Sequence, residues 1–130
     1  MPSSPVILHV DDDPDIREIV LVALELVGGL TVIQCANGQD AVDAVRNNRP
    51  DLFLLDVMMP DMDGVQTLKN LREISGFESI PAFFMTAKVQ DEDIKNLMKA
   101  GASGVIPKPF DTTTLSDELI SRYDAVQGAA

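Results

Sequence analysis

Short apolar runs alternate with longer stretches of helical periodicity five times along this 130-residue chain, and that alternation constrains the fold more than any other feature. Val6–Val10 is the first apolar run and reads as a strand. Ile16, Ile19, Val20, Ala23, Leu24 and Val27 follow at i, i+3, i+4 spacing, with Asp13 or Asp15 to cap the helix and Gly28-Gly29 to end it. Thr31–Cys35 is the second strand. A turn at Asn37-Gly38 leads into a helix carrying Ala41, Val42 and Val45, closed by Arg49-Pro50. Leu52–Leu55 is the third strand and runs directly into Asp56. The third helix carries Val65, Leu68, Leu71 and Ile74 and is broken at Gly76. Pro81–Met85 is the fourth strand, and the fourth helix carries Ile94, Leu97 and Met98 and ends near Gly101. Gly104–Ile106 is a short fifth strand. The last helix starts after Asp111 and three threonines, with Leu115, Leu119, Ile120 and Tyr123 inward. Strict βα alternation predicts a parallel sheet with helices on both faces. Right-handed crossovers make it an open, doubly wound sheet. A closed eight-stranded barrel needs about 250 residues and is excluded by length.

In an open parallel sheet, sites form beyond the carboxyl ends of the strands. Here those ends are Asp11-Asp12-Asp13, Asp56, Thr86-Ala87 and Lys108-Pro109, so carboxylates, a hydroxyl and an ammonium are expected at one edge. Strand two ends in Cys35-Ala36 and adds nothing polar. Clustered carboxylates raise each other's pKa, and a hard divalent cation removes the penalty. Mg²⁺ suits such a set, because it takes one or two carboxylates, keeps several waters and leaves room for a phosphoryl oxygen. Asp56, beside a metal and the Lys108 ammonium, is placed to attack phosphorus; Thr86 offers a hydroxyl donor. Phosphoryl transfer needs little beyond such positioning and charge neutralisation.

Composition narrows the partners. With 10 basic and 21 acidic residues the formal charge is −11, which argues against direct nucleic-acid binding. No apolar run approaches the roughly 18 residues of a membrane span. Val6–Val10 is also too short for the core of a secretion signal. The single cysteine, Cys35, excludes an internal disulfide and fits a cytoplasmic location.

Asp11-Asp12, Asp56 followed by Met58-Met59-Pro60-Asp61-Met62-Asp63-Gly64, Thr86-Ala87, and Lys108-Pro109-Phe110 together resemble the receiver domains of bacterial two-component response regulators. The match runs from about Val6 to Tyr123. The resemblance implies a flavodoxin-like strand order, 2-1-3-4-5. It implies that Asp56 is the phosphoacceptor, that Asp12, Asp56 and the Met58 carbonyl bind Mg²⁺, and that Asp11 holds a metal-bound water. Thr86 and Lys108 would contact the phosphoryl group, and a cis Lys108–Pro109 bond would aim the ammonium inward. The implied donor is a histidine kinase or histidine phosphotransfer protein. Phosphorylation would alter the helix 4, strand 5 and helix 5 face for a downstream protein target or a phosphorelay. The protein would be a monomer or a phosphorylation-dependent dimer, catalysing its own aspartyl phosphorylation and dephosphorylation but nothing in trans.

On this reading residues 1–130 are a single receiver domain, its core over about 6–123 and a flexible tail over 124–130. A stand-alone receiver is the leading form. The second is the N-terminal receiver of a longer regulator with a DNA-binding or enzymatic output domain. A third, a metal-dependent phosphatase, lacks the usual second Asp two residues after the nucleophile, where Met58 stands. One departure from the family is Val105, which occupies a position that is often aromatic. Asp13, Asp15, Asp61 and Asp63 read as caps and turn residues, His9 as a structural residue and Cys35 as a small hydrophobe. By the resemblance, the Met58 and Lys88 side chains border the phosphoryl site and tune water access; simple exposure is the alternative for each. Leu21, Val22 and Leu26 are apolar residues in excess of what one helix face needs.

Overall fold

The computed structural model describes residues 5–128. Five strands, β1 (Val6–Val10), β2 (Thr31–Cys35), β3 (Leu52–Asp56), β4 (Ala82–Thr86) and β5 (Gly104–Pro107), form one sheet in the order β2-β1-β3-β4-β5. Every pairing is parallel. The helices are α1 (Pro14–Leu21), α2 (Gly38–Ala44), α3 (Gly64–Arg72), α4 (Asp91–Lys99) and α5 (Leu115–Gly128). The expected fold and strand order are both found.

Strand side chains alternate between faces, and this alternation builds two cores. Leu8, Val10, Phe53, Leu55 and Phe84 pack with Ala41 of α2 and Val45 at its C-terminal cap, Leu68 and Leu71 of α3, and Leu97 of α4. Ile7, Leu52, Leu54, Phe83 and Met85 pack with Val20 of α1 and Leu115 and Leu119 of α5. β3 and β4 are buried along their whole length, as central strands covered on both faces must be. Full burial of one such Leu or Phe contributes roughly 1.5–3 kcal/mol.

Several elements depart from the sequence pattern. α1 continues as a π-helical segment, Val22–Val27, and its buried stripe is narrower than the periodicity predicts. Val20, Ala23 and Leu24 are buried, but Ile19 and Val27 are 41% and 53% exposed, as the wider π turn carries Val27 off the apolar face. Met98, expected inward, is also exposed; α4 buries only Leu97 fully. α2 stops at Ala44, short of Arg49-Pro50. There Arg46 and Asn47 bond back three residues and the Asn48 amide caps the Ala44 carbonyl, which tightens and ends the helix. Asn37 is its N-cap rather than part of a free turn. At the other end of the chain, α5 runs to Gly128, so 124–128 are helical rather than tail; half-buried Val126 anchors this extra turn. Residues 129–130 lie outside the described residues.

At the amino end of the sheet, Arg72 closes α3 and reaches three carbonyls. Its guanidinium donates to Phe77 O at 3.3 Å, to Ile80 O, and to Gly101 O at 3.1 Å. Burial pulls its pKa below the usual arginine value, yet the carbonyls hold it between α3, the entry to β4 and the loop before β5.

Candidate functional site

Parallel strands all point their carboxyl ends the same way, so the residues that close β1, β3, β4 and β5 converge. Asp11 and Asp56 are buried, at 0% and 6% exposure, while Asp12 stands at the surface. One carboxylate oxygen from each of the three lies within 4.8 Å of the others. The Lys108 Nζ enters this group from the end of β5, 2.8 Å from Asp56 Oδ1 and 3.4 Å from Asp11 Oδ2. The Lys108–Pro109 peptide bond is cis.

Burial pushes the Asp11 carboxyl above its ordinary pKa, and the charge of Asp56 adds to this. The Asp13 amide, 2.9 Å from Asp11 Oδ1, and the Lys108 ammonium pull the other way without reversing it. For Lys108, burial favours the neutral amine, but Asp56 and Asp11 outweigh it and the pKa lies above the usual lysine value. The ammonium is thus firmly charged, and it neutralises part of the carboxylate repulsion.

Thr86 closes β4 and is buried at 6% exposure. Its Oγ1 accepts from the Lys88 amide at 3.0 Å, and its carbonyl accepts from the Lys108 amide at 2.9 Å. The backbone of β4 therefore ties the hydroxyl and the lysine to one another. The Lys88 and Met58 side chains are both exposed at the rim. Val105 is buried in the core shared with α4.

The caps fall where the sequence places them. Asp13 Oδ1 accepts from the Asp15 amide at 2.9 Å, and Asp63 Oδ1 from the Gln66 amide at 2.8 Å. Asp61 takes φ 66°, a turn conformation that Asp tolerates. Gly64 does more than turn the chain. A Cβ there would overlap the Asp56 carbonyl oxygen, so α3 starts in direct contact with the backbone of Asp56.

Sequence reasoning missed Arg17 and Gln34. Arg17 Nη1 donates to the Asp11 carbonyl at 2.7 Å, and the Gln34 amide nitrogen donates to the Arg17 carbonyl at 2.7 Å. The same nitrogen meets His9 Nδ1 at 3.1 Å. A carbonyl only accepts, so the amide nitrogen must face it; His9 Nδ1 is then the acceptor and Nε2 carries the proton. Burial, with Lys108 and Arg17 nearby, lowers the His9 pKa to about 3, so the ring is neutral and structural. Burial and Asp40 push the Cys35 thiol up to about 11, in keeping with a packing role. The signal for Gln34 lay in register: it sits directly opposite His9 across β1 and β2.

A family model described as the response regulator receiver domain matches residues 7–120. The chain belongs to that family. Among relatives of this receiver, Response regulator Rre1 of Synechocystis sp. is 38% identical over 126 residues, covering 95% of this chain and 54% of Rre1. The DNA-binding response regulator MtrA of Mycolicibacterium smegmatis is 38% identical, covering 92% of this chain and 49% of MtrA. The receiver thus spans about half the length of these relatives. The structure of the chemotaxis response regulator CheY4 of Vibrio cholerae superposes with a TM-score of 0.84 at 30% identity, covering 92% of this chain and 99% of that one. Among the described residues, no helix is long and apolar enough to cross a membrane.

Proposed function

We propose that this receiver accepts a phosphoryl group onto Asp56 from a phosphohistidine on a histidine kinase or phosphotransfer protein, with Mg²⁺ held by Asp12, Asp56 and the Met58 carbonyl directly and by Asp11 through a water. The observation that carries the reading is the convergence of three carboxylates and one ammonium on a single point. Oxygen donors of this kind, two buried and one open to solvent, fit a hard divalent cation that keeps part of its water shell. When bound, Mg²⁺ supplies charge neutralisation for the carboxylates and the phosphoryl oxygens.

An Asp56 carboxylate oxygen attacks phosphorus as the donor's P–N bond breaks. The new bond is O–P, and the departing imidazole nitrogen keeps the electron pair. Lys108 is already within 3 Å of Asp56 and holds its proton, so it offers a fixed positive charge to a phosphoryl oxygen throughout. The buried Thr86 hydroxyl is free to donate, because its present bond is one it accepts from the Lys88 amide. Turning toward a phosphoryl oxygen would strain or break that bond and move the loop after Thr86. Val105 has no ring to swing into vacated space and is stiff at χ1, so the response is carried by this loop and by α4. The surface beside Lys108 is apolar, lined by Ile16, Ile19, Pro109 and Phe110, and offers a seat for a donor protein next to the site.

The partial coverage of Rre1 and MtrA favours a second form of the same reading, in which the receiver governs an attached output domain. The chemistry at Asp56 is common to both. Acetyl phosphate with Mg²⁺ is the direct test. A mass gain of one phosphoryl group, absent in Asp56→Asn, supports the proposal. Steady hydrolysis of a phosphate ester with no labelled protein supports a phosphatase instead. Chemical shifts that stay fixed between Ala87 and Lys99 on phosphorylation would overturn the assignment of the responding segment.

A further inference from the structure

Arg17 sits in the first turn and a half of α1, and its guanidinium folds back over the helix start to the Asp11 carbonyl, 2.7 Å away. That carbonyl belongs to the peptide joining Asp11 to Asp12. One hydrogen bond therefore fixes the plane on which two of the three clustered carboxylates are mounted. Arg17 is itself held from behind. Its own carbonyl accepts from Gln34, which stands on the edge strand β2 in register with His9. His9 is wholly buried and locks the Gln34 amide in place through Nδ1. The chain of contacts runs from β2, through the first turns of α1, to the Asp11–Asp12 peptide.

Electrostatics alone would not put an arginine there. A guanidinium beside a cation seat repels the cation, and a half-buried setting screens that repulsion incompletely. A bare charge at Arg17 would thus weaken Mg²⁺ binding, and removing it would strengthen binding. A clamp has the opposite sign, because losing it lets the Asp11–Asp12 turn relax away from the geometry the cation requires. Mg²⁺ demands near-ideal octahedral placement of its ligands, so it is sensitive to such relaxation.

We infer that Arg17 is a positioning residue for the metal seat: it sets the Asp11–Asp12 turn through the Asp11 carbonyl, with Gln34 anchoring it to β2. The inference rests on the Mg²⁺ reading above and adds two residues that touch neither metal nor phosphoryl group. Groups behind metal ligands typically account for 10–100-fold in affinity.

The test is Mg²⁺ titration followed by amide chemical shifts of the intact chain, at a temperature where thermal melts show each variant folded. Arg17→Ala should raise the Mg²⁺ dissociation constant on the order of 10-fold. Gln34→Leu should raise it less, and Arg17→Lys, which keeps the charge and one donor, should fall between Arg17→Ala and wild type. An unchanged or lower dissociation constant in Arg17→Ala overturns the inference, since that is the sign a bare charge gives. Should Arg17→Ala fail to fold, wild-type affinity in both Gln34→Leu and Arg17→Lys overturns it equally. A wild-type protein that does not bind Mg²⁺ overturns the metal reading itself, and this inference with it.

Discussion

The Lys108 ammonium lies 2.8 Å from one carboxylate oxygen of Asp56, although 52 residues separate them in sequence. It also lies 3.4 Å from Asp11, so one cation faces two buried acids. Lys108→Ala is expected to slow labelling by acetyl phosphate on the order of 100-fold, the usual loss when one group that stabilises transition-state charge is removed. A mass-spectrometric time course at saturating Mg²⁺ would measure it. A wild-type rate would show that the ion pair has no part in the chemistry.

Asp12 is the exposed member of the carboxylate group and contributes repulsion without a lysine partner. In the metal-free protein, Asp12→Ala should raise the melting temperature, because like charges at this spacing oppose folding. The same variant should lose the stabilisation that added Mg²⁺ gives wild type, which binding to the folded state produces by mass action. Paired thermal melts with and without Mg²⁺ would show both signs.

Gly64→Ala places a methyl group against the Asp56 carbonyl oxygen. The expected cost is about 1–3 kcal/mol in urea denaturation, as for other overpacked sites. Labelling at Asp56 should slow as well, because the relief must move the β3 end or the start of α3. Gly76→Ala is the control. Gly76 has φ +94° and would meet only the Arg49 side chain, so it should lower stability while leaving the labelling rate unchanged.

His9 gives a pH dependence with a definite sign. Its folded pKa is lowered to about 3, against about 6.5 when unfolded. Between these values the unfolded chain binds the extra proton, so stability is full above about pH 6.5 and falls as pH drops toward 3. At pH 5 the loss is about 2 kcal/mol, at 1.36 kcal/mol per pH unit. His9→Leu should flatten the pH 5–7 part of the stability curve, above the range in which ordinary carboxylates titrate. An unchanged slope in that variant would place the titration elsewhere.

Much of this site can be read from the sequence because strand ends are easy to find. Asp56, Thr86 and Lys108 each follow an apolar run, and a parallel sheet leaves such residues no choice of edge. Helix faces are harder. Ile19, Val27 and Met98 keep the right spacing but lie outward, since periodicity gives a phase and not the width of the buried stripe. Arg17 and Gln34 are harder again. Their roles depend on carbonyl oxygens, which no side-chain pattern reports, and on a strand register set by tertiary pairing. Gly64 could be read only as a turn, because its contact with Asp56 is with backbone.

Arg72 has a bearing on how motion would travel. Its grip on the carbonyls of Phe77, Ile80 and Gly101 fastens the far rim of β4 and the exit from α4 to α3. Among the described residues the entry to α4 has no comparable rivet; its N-cap, Gln90, makes no side-chain bond to the helix. A push delivered at Thr86 would therefore swing α4 like a door on a fixed jamb, with the widest travel at Asp91 and almost none at Gly101.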